Sequence, residues 1–503
     1  MNSAPDLLRT LVRRQDSRHS SNSLTDLGAL ELSKAIACRR ASAREVVTAF
    51  LDRIDAVNAK YNAIVSLRDR DDILAEADQK DRQLAKGEAA GWLHGIPIAI
   101  KDLVATKGIR TTRGSPIYRD AVPDRDAVHV ARLKLSGAIV IGKTNTAEFG
   151  LGSNTFNNVF GITCNALDPA KVAGGSSGGA AVAVATRMMP IADGGDNAGS
   201  LRNPAAFNHV YAFRPSPSLL SSDADPMGPP TFDVVGPIAR SVGEVAAMLA
   251  TISIDNAWSP APAGRRVAMD VELLDAPMTG TRIGWLGDLK GQVAIEGEVL
   301  ALCESALAKL SGIDCVVEPA DVDFPMEALW SSYCDLRSWL VSNAIGKHYR
   351  DPETRELLND SAIWEIERGL ALSAARIYEA MKIRERWSAR LAKLFGSFDF
   401  LALPAAQVLP FPLEIKWPRE VAGRRMDSYH RWMEIAIPAT MGACPVACVP
   451  AGAGCAGSST GLQLIGPPRN DFACLQLASA YEFRCAESPL PCERHPLQGR
   501  ADV

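Results

Sequence analysis

The sequence predicts an α/β chain: one large mixed β-sheet with helices over both faces. Two patterns carry that expectation. Residues 93–100 (LHGIPIAI) and 138–141 (AIVI) are uncharged apolar runs of strand length, as strands buried on both sides require. They alternate with stretches of helical spacing, the rhythm of a sheet covered by helices. Farther on, from about 260 to 430, the chain turns more helical and aromatic, with Trp330, Tyr333, Trp339, Trp387 and Trp432. The strand-like runs 398–403 and 461–465 are expected to return to the same sheet. There is no internal repeat and no long linker, so one domain is expected rather than two.

Residues 1–24 are polar and read as a tail. The first helix is signalled by a capping box, Ser42-Ala-Arg-Glu45, whose side chains satisfy open N–H groups of the first turn. Val46, Phe50 and Ile54, with Val47 and Leu51 alongside, then form one apolar face. Residues 62–67 read as a strand and the charged run 71–83 as an exposed helix. The run 93–100 should deliver Lys101 and Asp102 at its end. A helix over 127–135 precedes the strand 138–141, which ends in Gly142-Lys-Thr-Asn145. The glycine-rich stretch 174–179 leads into a small-residue helix over 180–187.

Bulk properties exclude several classes. The chain has 503 residues, 47% hydrophobic and 22% charged, an ordinary soluble composition. A net charge of -4 offers no basic field for nucleic acid or an anionic membrane. Eleven cysteines are an odd number without a C-x-x-C pair. Cys444 and Cys448 lie in a proline-rich segment without histidine, which is no zinc pattern. The uncharged run 435–457 carries Pro438, Pro445 and Pro450, so buried strand and loop suit it better than a membrane span. No signal-peptide core opens the chain. A soluble, cytoplasmic protein is expected.

The chemically dense part is 174–207. Gly174-Gly-Ser-Ser-Gly-Gly179 lacks the phosphate-loop pattern, and no acidic residue stands where a dinucleotide ribose needs one. Gly174-x-Ser176-x-Gly178 does match a nucleophile elbow. An elbow, however, needs a hydrophobic strand leading into it, and the lead-in here is the polar loop 165–173. The third alternative joins this stretch to the next, 192–207 (ADGGDNAGSLRNPAAF). Together they resemble the amidase signature family, whose hallmark is Gly-Gly-Ser-Ser-Gly-Gly followed by Asp-x-x-Gly-Ser-x-Arg-x-Pro-Ala. The upstream Leu93-His-Gly-Ile-Pro…Lys101-Asp-Leu matches as well, as do Gly142-Lys-Thr-Asn with Glu148-Phe149 and the distal Gly461-Leu-Gln-Leu-Ile-Gly-Pro467. The likeness runs from about 24 to 483 with a divergent middle. Lys101 and Ser176 are 75 residues apart and Ser176 and Ser200 are 24 apart, as is usual in the family.

The resemblance implies the amidase signature fold, a single α/β/α domain, and a Ser-Ser-Lys hydrolase. Ser200 would be the nucleophile, Ser176 a proton relay on an unusual cis peptide, and Lys101 the base. The chemistry fits the residue types: a serine must lose its proton to attack an amide, and a buried lysine can accept it because desolvation disfavours the ammonium. Backbone N–H groups of Asn197, Ala198, Gly199 and Ser200 stand where the family's oxyanion hole lies. Asp196 and Arg202 flank this loop and are expected to pair and hold its shape, with Ser177 as a further loop-structuring residue. Many members read Thr-Asp-Thr-Gly-Gly-Ser where this chain reads Gly195-Asp-Asn-Ala-Gly-Ser200, so Asn197 and Ala198 alter the acyl pocket. Cys164, Asn165, Tyr429 and Trp432 are substrate-binding candidates.

On this basis 25–490 is the amidase signature domain: 25–260 the catalytic core, 261–430 the substrate-shaping region, 431–490 the return to the sheet. Residues 491–503 form a second tail. The motifs look closest to the branch with nylon-oligomer cyclic amide hydrolases. The expected activity is cleavage of a C–N bond in a small molecule, with no cofactor, no metal, no nucleic acid and no membrane, and with a homodimer as a possible assembly. Three alternatives remain open: a deaminase of an amino-substituted unsaturated acid of the 2-aminomuconate type, a glutaminase subunit of a tRNA amidotransferase, and a non-catalytic scaffold.

Overall fold

The computed structural model describes residues 23–217, 219, 232–253, 273–454 and 457–487. Nearly all of the tail expected at 1–24, and the whole of that at 491–503, lie outside the described residues. Along the chain the strands are β1 (Ile64–Val65), β2 (Pro97–Lys101), β3 (Ile139–Thr144) and the hairpin β4 and β5 (Phe156–Asn157, Gly161–Ile162). There follow β6 (Ile191–Asp196), β7 (Tyr211–Arg214), β8 (Val234–Ala239), β9 (Arg282–Trp285), β10 (Val316–Pro319) and β11 (Phe400–Pro404). The hairpin β12 and β13 (Glu420–Val421, Arg424–Arg425), β14 (Val446–Ala453) and β15 (Ser459–Ile465) complete them.

The fold is a large mixed sheet with helices packed on it. Eight strands run in the order β10-β9-β11-β15-β14-β7-β8-β6, parallel at one end and antiparallel at the other. Strands β11, β14 and β15 are buried almost throughout, as their uncharged sequences require. β1, β3 and β2 form a separate ladder, with β2 parallel to β3. The two ladders meet where β2 lies against β6, the end strand of the larger one. The strands expected near 398–403 and 461–465 belong to the larger ladder, whereas those expected near 93–100 and 138–141 form the smaller.

Local sequence explains most boundaries. Ser42 caps the helix Ala43–Tyr61, accepting the Glu45 N–H at 3.1 Å while the Glu45 carboxylate accepts the Ser42 N–H at 2.8 Å. Two strands are shorter than expected. The run 93–96 is a turn, because Gly95 takes φ +80° against Ala43, and β2 begins only at Pro97. Of 62–67 only Ile64–Val65 pairs: Asn62 and Ser66 both sit at positive φ and break the extended run. The uncharged segment 435–457 holds a short helix (Ile437–Met441) and β14. No helix among the described residues is long and apolar enough to cross a membrane.

Candidate active site

Three chain segments meet at the seam between the ladders. β2 ends in Lys101, and β6 ends in Asp196, from which a tight loop carries Ser200 into the helix Arg202–Phe207. The glycine-rich stretch passes Ser176 and Ser177 just before the helix Gly178–Ala185. Its glycines are there for space: a Cβ on Gly175 would stand 2.7 Å from the Asn154 carbonyl carbon, and one on Gly174 2.4 Å from Asn203 Oδ1. The peptide bond between Gly175 and Ser176 is cis.

Lys101 is 1% exposed. Its Nζ lies 2.8 Å from Ser176 Oγ and 2.7 Å from Ser177 Oγ, with the Gly195 carbonyl at 3.4 Å. Burial pushes this amine down to about 8, against the pull of Asp193, Asp196 and Asp233 toward the charged form. An amine so poised can accept a proton from a hydroxyl in hydrogen-bond reach near neutral pH. Ser177 also bonds both groups of Gly195, at 3.2 Å each, tying the glycine-rich loop to β6.

Ser200 shares the wall of one cavity with Lys101 and Ser176. The loop beneath it is held by Asp196, whose carboxylate accepts from Arg202 Nη2 at 2.8 Å, Arg202 Nε at 3.0 Å and Arg214 Nη1 at 3.1 Å. Burial alone would raise this carboxyl, but the two guanidinium groups hold it well below the usual carboxylate range. Asp196 also takes the N–H groups of Gly199 (3.0 Å) and Leu201 (3.1 Å). This corrects the expected oxyanion set: the Gly199 N–H is spent inside the loop. Those of Asn197, Ala198 and Ser200 meet no acceptor among the described residues.

The cavity encloses about 460 Å³. Leu103, Phe149 and Leu151 form one side; Arg337, Leu340, Val341, Ala344 and Ile345, from the helix Met326–Arg350, form another. Asn197 ties this helix to the catalytic loop. Its Oδ1 accepts from Tyr333 Oη at 2.6 Å and Arg337 Nη1 at 3.0 Å, and its Nδ2 donates to Asp233 Oδ1 at 3.0 Å. Arg337 is neutralised behind the wall by Glu365 at 2.7 Å, a carboxylate that burial would raise but that Arg337 holds low.

All four substrate-binding candidates lie elsewhere. Asn165 is a buried turn residue, donating to Val172 O and Phe207 O and accepting the N–H groups of Leu167 and Asp168. Its neighbour Cys164 makes a strand-like bridge to Val172 and is not on the cavity wall. Trp432 is core: fully buried, it stacks on Phe207 and meets Phe411 edge-on. Tyr429 stands behind Arg337, bonding it at 3.1 Å and Glu365 at 2.9 Å, and lines a second hollow of about 1120 Å³. Arg337 and the apolar face beside it were missed in the sequence. A lone arginine among aromatic residues gave no signal that set it apart from a helix surface.

Comparison with known proteins adds a family. The family model described as Amidase matches residues 45–475. An acylamidase of Rhodococcus erythropolis is 31% identical over 460 residues, 91% of this chain and 95% of the relative. A glutamyl-tRNA(Gln) amidotransferase subunit from Thermosynechococcus vestitus is 31% identical over 473 residues, covering 90% of this chain and 96% of the relative. Among solved structures, a bacterial aryl acylamidase of the amidase signature enzymes superposes with a TM-score of 0.84 at 25% identity, over 91% of this chain and 96% of that one. The expected nearness to nylon-oligomer hydrolases has only weak support: 6-aminohexanoate cyclic dimer hydrolase shares the fold at 22% identity, below the acylamidase.

Proposed function

The chain belongs to the amidase family and is a hydrolase of C–N bonds other than peptide bonds; from that premise we propose that it cleaves a small amide through an acyl-enzyme on Ser200. The observation that carries this reading is the buried Lys101 amine, set 2.8 Å from Ser176 Oγ on the wall that also bears Ser200. Lys101, neutral, draws a proton from Ser176. Ser176 draws one from Ser200 as its oxygen attacks the carbonyl, and the free N–H groups of the 197–200 loop receive the developing negative charge. The C–N bond then breaks as the proton returns along the same path to the leaving nitrogen. Water repeats the sequence to release the acid.

The wall supports an apolar substrate. Leu103, Phe149, Leu151, Leu340, Val341 and Ile345 suit an acyl or aryl group, in keeping with the acylamidase and aryl acylamidase relatives. A dicarboxylic aminomuconate fits less well, because Asp233 is on the wall while Arg337 is already answered by Glu365. Glutamine hydrolysis keeps support from the tRNA amidotransferase relatives.

The test is hydrolysis of anilides, aliphatic and cyclic amides, glutamine and 2-aminomuconate-type acids by wild type and Ser200→Ala, read as released amine or ammonia. Anilides or acyl amides should be turned over, and Ser200→Ala should lose at least about 10⁴-fold in kcat, the usual scale for a lost nucleophile. Wild-type turnover in Ser200→Ala would reject the mechanism. Ammonia from the aminomuconate alone would reject the substrate class.

A further inference from the structure

β2 runs beside β6 without entering its ladder. At the end of β2 a side chain stands in for the missing strand partner: the Lys101 N–H donates to Asp193 Oδ1 at 2.8 Å. The other oxygen, Oδ2, lies 3.2 Å from His129 Nε2, on the helix Val128–Leu135. Asp193 is fully buried. A carboxylate at such depth is costly unless nearby charge answers it.

The charged groups around Lys101 are few. Asp196 is spent on Arg202 and Arg214. Asp233 stands at the open side of the cavity, where solvent screens it. Behind β2, Lys143 is buried and bonds the Val104 carbonyl at 2.6 Å and Thr106 Oγ1 at 2.8 Å. Asp102 gives its carboxylate to the Thr112 N–H at 3.1 Å and hydroxyl at 2.5 Å. Ser176, Ser177 and the Gly195 carbonyl, which touch Nζ, are neutral. Among the described residues two buried carboxylates near Lys101 have no arginine bound to them: Asp102, which is taken up by Thr112, and Asp193, which bonds the Lys101 peptide itself.

We propose that Asp193 is a positioning residue for Lys101: its buried carboxylate fixes the peptide that ends β2 and supplies the negative charge against which Lys101 releases its proton. The proposal rests on Lys101 being the base. Geometry and charge act together here. The backbone bond sets where Nζ can reach, and the carboxylate favours the ammonium, offsetting the desolvation that drives the amine down. Of the charges that favour the ammonium of Lys101, Asp193 is the foremost.

The experiment is the pH dependence of kcat/KM on a neutral amide. Wild type should lose activity in acid through a limb near pH 8, where Lys101 takes up its proton. Asp193→Asn keeps the shape and an acceptor for the Lys101 N–H but drops the charge. Its limb should move to lower pH by about one unit, a tenfold fall in proton affinity, with the alkaline plateau within about tenfold of wild type. Asp193→Glu keeps the charge and misplaces it, so its limb should stay while the plateau falls. His129→Gln should leave the limb in place.

A limb unmoved in Asp193→Asn overturns the proposal, as does a limb that moves in His129→Gln, which would belong to the histidine. If Asp193→Asn does not fold, Asp193→Glu decides: a shifted limb there rejects the charge role. The base assignment fails separately, by wild-type turnover in Lys101→Met, whatever Asp193 does.

Discussion

Asn197 occupies the first position after β6, and its side-chain amide faces two ways at once. The carbonyl end accepts from Tyr333 and Arg337, and the amino end donates to Asp233, which also lines the cavity. With Arg337 neutralised by Glu365 and Lys101 uncharged when it acts as base, Asp233 sets the sign of the cavity. A substrate carboxylate near it meets about 1 kcal/mol of repulsion at 4 Å in a watery setting, or roughly fivefold in rate. For a matched pair of amides differing only in a terminal carboxylate or methyl ester, kcat/KM should favour the ester by about that factor at low salt. Asp233→Asn should erase the preference; a preference that survives would place the discrimination elsewhere. The sequence marked Asn197 as a departure from the common loop but not its partners, since Tyr333, Arg337 and Asp233 are scattered along the chain and none stands in a motif. The opposite error, Trp432, has an equally local cause. An aromatic residue near a loop reads alike whether it faces a ligand or, as here, packs between Phe207 and Phe411.

The helix Met326–Arg350 shows why the cavity wall was illegible while the catalytic motifs were plain. Arg337, Leu340, Val341, Ala344 and Ile345 recur at three- and four-residue spacing, which places them on one face. The same spacing describes a helix buried in a core, so periodicity cannot distinguish a wall from packing. Motif residues differ because chemistry fixes their identity: only Gly fits at 174 and 175, and Lys101, Ser176 and Ser200 are matched by type as well as place. Strand ends failed for a backbone reason, the positive φ of Gly95, Asn62 and Ser66, which composition does not reveal. The wall helix supplies its own test. Ala344 is exposed to the cavity side, so a larger residue there needs no core space. Ala344→Phe should cut kcat/KM for a bulky anilide at least tenfold, cost a short aliphatic amide less, and leave the melting temperature within about 2 °C. Equal losses on both substrates would mean that the helix face does not select by size.

At the scale of the whole molecule, the catalytic loop is fastened to distant parts of the sheet through one buried charge cluster. Arg202 bonds Asp196 at the end of β6, Gln463 of β15 at 2.7 Å, the Ala436 carbonyl at 2.8 Å and Thr440 of the helix Ile437–Met441 at 2.9 Å. Arg214 brings in β7, reaching the Asp196 carbonyl at 2.6 Å. Segments more than 200 residues apart thus share one guanidinium, that of Arg202, which Asp196 answers. Its depressed proton affinity means that Asp196 stabilises the fold above its ordinary value of 3.8, and that this contribution is lost as pH falls below it. Removing the charge leaves two buried guanidinium groups without their counterion, a loss of the kind that costs about 3–5 kcal/mol. Asp196→Asn should therefore unfold at clearly lower denaturant concentration than wild type and lose turnover with it, because the loop that carries Ser200 loses its anchor. Ser200→Ala offers the contrast: it removes a single hydroxyl from the cavity wall, so it should lose turnover at unchanged stability. An Asp196→Asn protein with wild-type stability and no activity would move Asp196 from fastening the fold to acting at the loop alone.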